Sequence, residues 1–334
     1  MKAAVIDRPG TVDVRDVPAP RPERGEVVVR VGAAGICGTD LHIAAGEFPP
    51  SPYPIVPGHE FAGTVTELGD DVTTGIAVGD RVAVDPSLFC GYCRQCRRGR
   101  GNLCENWGAT GDTVDGAFAE YVTVPAANCY RLPDQLSFAQ GALVEPVSCA
   151  VHGVHRLGVD AGERILVVGA GTMGLILTQL LAAGGARVSV VDLAEAKLPL
   201  AEKLGAAEVA TGVDELPARA FDAAVDVTGA PPAIEDAFRS LDRGGRLQIF
   251  GVAAEDARVT LSPFRIYNDE ITVVGSMAVL HSYGDALDLV AAGVVRTEPL
   301  VSHTFALDEF TDALEMMRSG RTIKAQVVRT DGPA

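Results

Sequence analysis

Residues Arg164–Gly174 read Arg-Ile-Leu-Val-Val-Gly-Ala-Gly-Thr-Met-Gly, an apolar run ending in glycines spaced G-x-G-x-x-G, where the helix-like stretch Thr172–Ala183 opens. Few short segments restrict a fold as much. A run of Ile, Leu and Val without alternation suits a strand buried on both faces. Such strands belong to parallel sheets covered by helices on both sides. The residues beyond keep the same rhythm. Strands are expected at Glu163–Gly169, Arg187–Asp192, Phe221–Val227, Gly245–Phe250 and Ile271–Gly275. Helices are expected beside them at Val147–Leu157, Thr172–Ala183, Glu195–Leu204, Ala233–Leu241 and Gly284–Ala292. Alternating strands and helices imply βαβ units in an α/β, doubly wound parallel sheet. Pro199 falls inside one expected helix and should kink or end it.

Each fingerprint glycine has a physical task. Gly169 allows the tight turn, Gly171 lets backbone approach a pyrophosphate, and Gly174 lets helix and strand pack closely. The helix N-terminus adds unpaired N–H groups and partial positive charge for the phosphates. Asp192 closes the second strand 18 residues after Gly174, where a carboxylate accepts from adenosine ribose hydroxyls. The same carboxylate repels a 2′-phosphate, so NAD is expected over NADP, with Lys197 softening the preference. Further cofactor contacts are expected at Met173, at Phe250, Gly251 and Val252, and at Ser276 and Met277.

Residues 1 to about 145 read differently. Short strands at Val27–Val31, Phe61–Leu68 and Arg81–Val84 alternate with Pro- and Gly-rich turns, the mark of an antiparallel β domain with long loops. Five of the seven cysteines fall between residues 37 and 104. Cys90, Cys93, Cys96 and Cys104 lie within fifteen residues, and four thiolates close one tetrahedral zinc with no position left for water, so this zinc is expected to be structural. Arg94, Arg97, Arg98 and Arg100 sit in the same lobe, where neutralisation and N–H donation to sulfur are their expected roles.

Acidic side chains outnumber basic ones 44 to 28, for a formal charge of −16, which argues against nucleic-acid binding. Asp7, Arg8 and Pro9 interrupt the N-terminus before a signal core, and no run reaches the ~18–20 apolar residues of a membrane span. A soluble, cytoplasmic chain is expected.

Two further motifs, Cys37-Gly-Thr39-Asp-Leu-His42 and Gly58-His59-Glu60, are ordinary one at a time. In order and spacing, together with the cysteine lobe and the glycine fingerprint, they make the chain resemble the zinc-dependent medium-chain dehydrogenases/reductases over essentially its full length. Gly58-His59-Glu60 and Glu145-Pro146 look most like the polyol (sorbitol/xylitol-type) and threonine 3-dehydrogenase branches. The resemblance implies a GroES-like β-rich catalytic domain over residues 1–147, with its zinc lobe at 90–104. It further implies a Rossmann domain over 148–285 and a segment over 286–334 returning to the first domain.

It also implies two zincs per chain. Cys37 and His59 match the constant ligands of a catalytic zinc, and Glu60 matches the carboxylate ligand of the polyol branch. Glu145 stands where ordinary alcohol dehydrogenases carry a cysteine as third ligand and lies against the zinc-bound water, ligating in some states; Thr39 and His42 match a proton relay. Cys149, one helical turn past Glu145, competes as a ligand and otherwise packs in the core; Cys129 has no evident partner and is expected to be buried. The implied reaction passes hydride from a secondary alcohol of a polyol or sugar-like substrate to NAD, giving a ketone and NADH. Threonine 3-dehydrogenase and cyclitol or aminocyclitol dehydrogenase are the rival activities; an NAD-sensing zinc-binding protein is the rival without turnover. Ala278 stands where sorbitol-type members carry an arginine. The family implies a homotetramer, or else a dimer, joined through the edge strand Ile271–Gly275. The acidic charge offers no general field for anions, so a neutral polyol suits it better than a sugar phosphate.

Overall fold

The computed structural model describes residues 1–329; the tail Thr330–Ala334, expected to be loose, lies outside the described residues. The chain forms two compact units. Among the described residues, one comprises Met1–Ser148, Val279–Ala291 and residues 297–329; the other comprises Cys149–Ala278 and Ala292–Arg296.

The second unit is built on a six-stranded parallel sheet. Its spatial order is Glu208–Ala210, Arg187–Val191, Arg164–Val168, Phe221–Asp226, Leu241–Ile249, Thr272–Gly275. Numbered along the chain this is 3-2-1-4-5-6, the order of doubly wound dinucleotide-binding sheets. Ile165, Leu166 and Val167 are fully buried, as an unbroken apolar run requires of a central strand. Sequence periodicity misses the short strand Glu208–Ala210, which is too brief to show a pattern. Pro199 neither kinks nor ends a helix. A 3₁₀ turn at Glu195–Lys197 comes first, and Pro199 occupies the first turn of the helix Leu198–Lys203, where a missing N–H breaks no bond.

The first unit carries a sheet ordered Val301–Phe305, Lys324–Val328, Glu26–Ile36, Glu60–Leu68, Arg81–Val84, Cys129–Arg131, with Tyr121–Pro125 also pairing Glu26–Ile36. All pairs are antiparallel except Val301–Phe305 with Lys324–Val328, so the expected antiparallel sheet becomes mixed at one edge. The helix Phe310–Arg318 buries Phe310, Ala313 and Leu314, one face at i, i+3, i+4. Phe310 meets Phe118 at 4.5 Å between ring centroids. This packing brings Lys324–Val328 into the sheet beside Glu26–Ile36, with consequences for the site. Among the described residues no helix is long and apolar enough to cross a membrane.

Candidate active site

Cys37 ends the long strand Glu26–Ile36 and caps the helix Gly38–Ala45. Its Sγ accepts from the Thr39 amide at 3.3 Å, while the Cys37 amide donates to Asp40 Oδ2 at 2.8 Å. This is a capping box with a thiol in place of a hydroxyl. The positive end of the helix favours a thiolate here, whereas burial pushes the thiol pKa up, with His59 opposing it.

His59 Nε2 lies 3.1 Å from Cys37 Sγ, and its Nδ1 lies 3.0 Å from Asp112 Oδ1. Ligand atoms of His59, Glu60 and Glu145 fall within 4.8 Å of one another, as do those of Cys37, Asp40 and His59. The four expected ligand residues therefore gather about one imidazole, and Asp40 joins them. A thiol, an imidazole and carboxylates form the donor set of an open zinc site. The buried Asp40 Oδ1, which has no hydrogen-bond partner, also suits a nearby cation.

Glu60 is held in a way no motif announces. Lys324 Nζ donates to Glu60 Oε1 at 2.8 Å and Oε2 at 2.6 Å, and to the Ile36 carbonyl at 3.0 Å. Both side chains are 3% exposed. The strand Glu26–Ile36 runs between the two that carry them, and Gly35 lies directly opposite Glu60. A Cβ on Gly35 would sit 2.1 Å from Glu60 Oε2, so only glycine leaves room for the carboxylate. Both Glu60 oxygens are thus engaged by Lys324, while Glu145 remains grouped with His59 and Glu60. Thr39 and His42, three residues apart, share a helix face. His42 is 42% exposed and contacts Glu47 Oε2 at 2.9 Å.

In the lobe, the four cysteine sulfurs lie within 4.8 Å of one another, with Cys90 to Cys104 at 3.5 Å and Cys93 to Cys104 at 3.9 Å. Zinc–sulfur bonds of ~2.3 Å set tetrahedral S···S edges at about 3.8 Å, and all four cysteines are free of disulfides. The amides of Cys90, Cys93, Cys96 and Asn106 donate to sulfur at 3.2–3.4 Å. Arg94, Arg97, Arg98 and Arg100 are exposed and take no part in these bonds, which corrects their expected role as donors. Cys93→Ser should remove this zinc and cost at least about 3 kcal/mol, lowering Tm on the order of 10 °C. Thermal unfolding with zinc analysis checks this; an unchanged Tm would show the lobe to be dispensable.

In the second unit, the fingerprint lies at the carboxyl ends of the strands. Gly169 has φ +114°, and a Cβ on Gly174 would sit 1.8 Å from the Gly169 carbonyl, so both are glycines for internal reasons. A Cβ on Gly171 would meet nothing within 4 Å, so the protein itself places no demand there; a closely approaching phosphate does. Asp192 Oδ2 accepts from the Ala170 amide at 2.7 Å and Oδ1 from the Ala194 amide at 2.8 Å, with Lys197 Nζ at 4.0 Å. Met173 lies in the first turn of the helix Thr172–Ala183. Phe250, Gly251 and Val252 follow the strand ending at Ile249, and Ser276 and Met277 follow the one ending at Gly275, at the same edge of the sheet. Val252 is 79% and Met277 39% exposed, while the Phe250 ring lies against Gly153.

Sequence reasoning missed Asp40, Asp112 and Lys324. Asp40 had a signal, since it stands three residues after Cys37 as a capping-box acid. Asp112 and Lys324 had none. Cys129 and Cys149 are both half-buried, and Cys129 packs against the core of the first unit.

Residues 23–134 match the family model of the alcohol dehydrogenase GroES-like domain, and residues 172–292 that of the zinc-binding dehydrogenases. The chain is 36% identical to D-arabinitol dehydrogenase 1 of Uromyces fabae over 98% of this chain and 97% of that protein. It is 34% identical to sorbitol dehydrogenase of Bacillus subtilis, over 94% and 93% of the two. A crystal structure from Sinorhizobium meliloti, described as a zinc-binding dehydrogenase and solved with NADP, superposes with a TM-score of 0.94 at 35% identity, covering 98% and 99% of the two chains.

Proposed function

We propose, starting from the fact that this chain belongs to the zinc-dependent medium-chain dehydrogenase/reductase family, that it oxidises a secondary alcohol of a polyol to a ketone with NAD as hydride acceptor. The observation that carries this reading is the approach of Cys37 Sγ to His59 Nε2 at 3.1 Å with the carboxylates of Glu60 and Glu145 beside them. Cys37 and His59 would hold the catalytic zinc together with the carboxylates of Glu145 and Glu60, the latter on leaving Lys324. Bound there, zinc supplies Lewis acidity that makes an alcohol hydroxyl easier to deprotonate. Thr39 takes the proton, and the half-exposed His42 carries it toward solvent. The four lobe cysteines hold the second zinc.

The relatives named for arabinitol and sorbitol support a polyol, and the charge of −16 favours a neutral one. A panel of pentitols, hexitols, inositols and L-threonine, read by NADH absorbance with both nicotinamide cofactors, tests the reading. Turnover of polyols is expected; turnover of L-threonine alone would replace it. Preference for NAD rests on Asp192, which keeps lone pairs for ribose hydroxyls beyond its two amide partners. Asp192→Ala should raise the NADP-to-NAD ratio of kcat/KM by about ten- to a hundredfold, one to two steps of ~1.4 kcal/mol. An unchanged ratio would locate the discrimination elsewhere.

A cytoplasmic homotetramer completes the proposal. Thr272–Gly275 is an edge strand with Val273 41% exposed, and it lies near the exposed Tyr267 and Phe264 in the chain. Light scattering of the eluted protein checks the assembly.

A further inference from the structure

His59 is the residue common to both candidate ligand groups, so whatever orients its ring orients the site. An imidazole bonded through Nε2 must carry its proton on Nδ1, and the partner of Nδ1 then sets both the tautomer and the ring plane. In this chain that partner is Asp112. Its Oδ1 lies 3.0 Å from His59 Nδ1, with both side chains about nine-tenths buried. The contact is close but too bent to be a hydrogen bond, and neither atom has a hydrogen-bond partner among the described residues. A buried carboxylate oxygen without a partner costs several kcal/mol, so the arrangement is explained only if each atom serves the other.

Asp112 is itself held firmly. Ser51 Oγ donates to its carbonyl at 2.5 Å, and its amide donates to the Ala109 carbonyl at 3.1 Å. The loop closes around it through the bridge between Thr110 and Val114.

From this geometry we infer that Asp112 is a positioning residue of the catalytic zinc centre, fixing His59 as an Nε2 donor and strengthening that donor. The inference rests on the zinc reading above. Carboxylates in this place typically contribute about ten- to a hundredfold to metal affinity.

The test uses the full-length, two-zinc protein. Zinc content is measured after equilibration with graded dipicolinate, and the absorption spectrum is recorded after cobalt is exchanged into the catalytic site. The lobe zinc is the internal reference. Asp112→Ala should release the catalytic metal at about ten- to a hundredfold lower chelator concentration and shift the cobalt band, leaving the lobe zinc unchanged. Asp112→Asn, which still accepts one hydrogen bond, should fall between. Asp112→Ala with wild-type retention and an unchanged cobalt spectrum overturns the inference. Should the alanine variant lose both zincs by misfolding, the near-isosteric asparagine variant decides: wild-type affinity overturns the inference, weakened affinity supports it. A wild-type protein holding only the lobe zinc would instead sink the zinc reading itself, whatever Asp112 does.

Discussion

Cys37→Ala should lower turnover by at least about a thousandfold, because the zinc it is proposed to hold would supply several kcal/mol of Lewis-acid stabilisation and each ~1.4 kcal/mol is tenfold in rate. Zinc should fall from two per chain to one. The thiol also caps the helix Gly38–Ala45, but a lost cap costs only about 1 kcal/mol. Activity should therefore vanish while Tm moves by a few degrees and the lobe keeps its metal. Rates and elemental analysis on one preparation decide it; a variant with near-normal kcat would mean that the chemistry lies elsewhere.

The second large effect belongs to Lys324, and here stability leads. Lys324→Met leaves Glu60 buried without its cation. Breaking a buried pair from one side costs about 3–5 kcal/mol, on the order of 10 °C in Tm. Replacing both partners, as Lys324→Met with Glu60→Gln, should recover much of that loss, since the residual penalty is for the uncompensated charge. A single variant with Tm within about 2 °C of wild type would show the pair to be neutral.

The pair also has a pH signature. Burial opposes the Lys324 charge, but Glu60 and Cys37 outweigh it and hold the pKa above the ordinary 10.5. A raised folded-state pKa gives stability that is complete at neutral pH and is lost as pH climbs through the raised value. Wild type should lose this increment only in strong alkali, while Lys324→Met should not show it at all. Function follows from the same contacts. Released from Lys324, Glu60 would compete for the zinc, so turnover of the single variant should fall even well below its Tm.

These two residues mark the limit of what was legible. The glycine fingerprint lies within one strand–turn–helix, and its spacing reflects local sterics: a positive φ at Gly169 and a 1.8 Å conflict at Gly174. The lobe is equally local, with four ligands in fifteen residues. A proline in a helix-like stretch suits an interior kink and a first turn alike, and at Pro199 only hydrogen bonding separates them. The arginines of the lobe are near the sulfurs in sequence, but backbone amides are the donors that reach them in space.

The amino-acid sequence by itself determined the doubly wound sheet, the dinucleotide loop, the closed cysteine site and the residues that gather at the open one. The first three depend on residues close in the chain or on a repeating apolar period; the open-site residues, spread from Cys37 to Glu145, are implied by the family resemblance. Only tertiary structure decided that Glu60 is paired with Lys324 and that Asp112 faces the His59 ring. Lys324 lies 264 residues from Glu60, and it reaches across an intervening strand at the one point where Gly35 has no side chain. Asp112 faces His59 from a separate loop. Such pairings come from sheet order and loop closure, and a buried charge leaves no periodic trace in the chain that carries it.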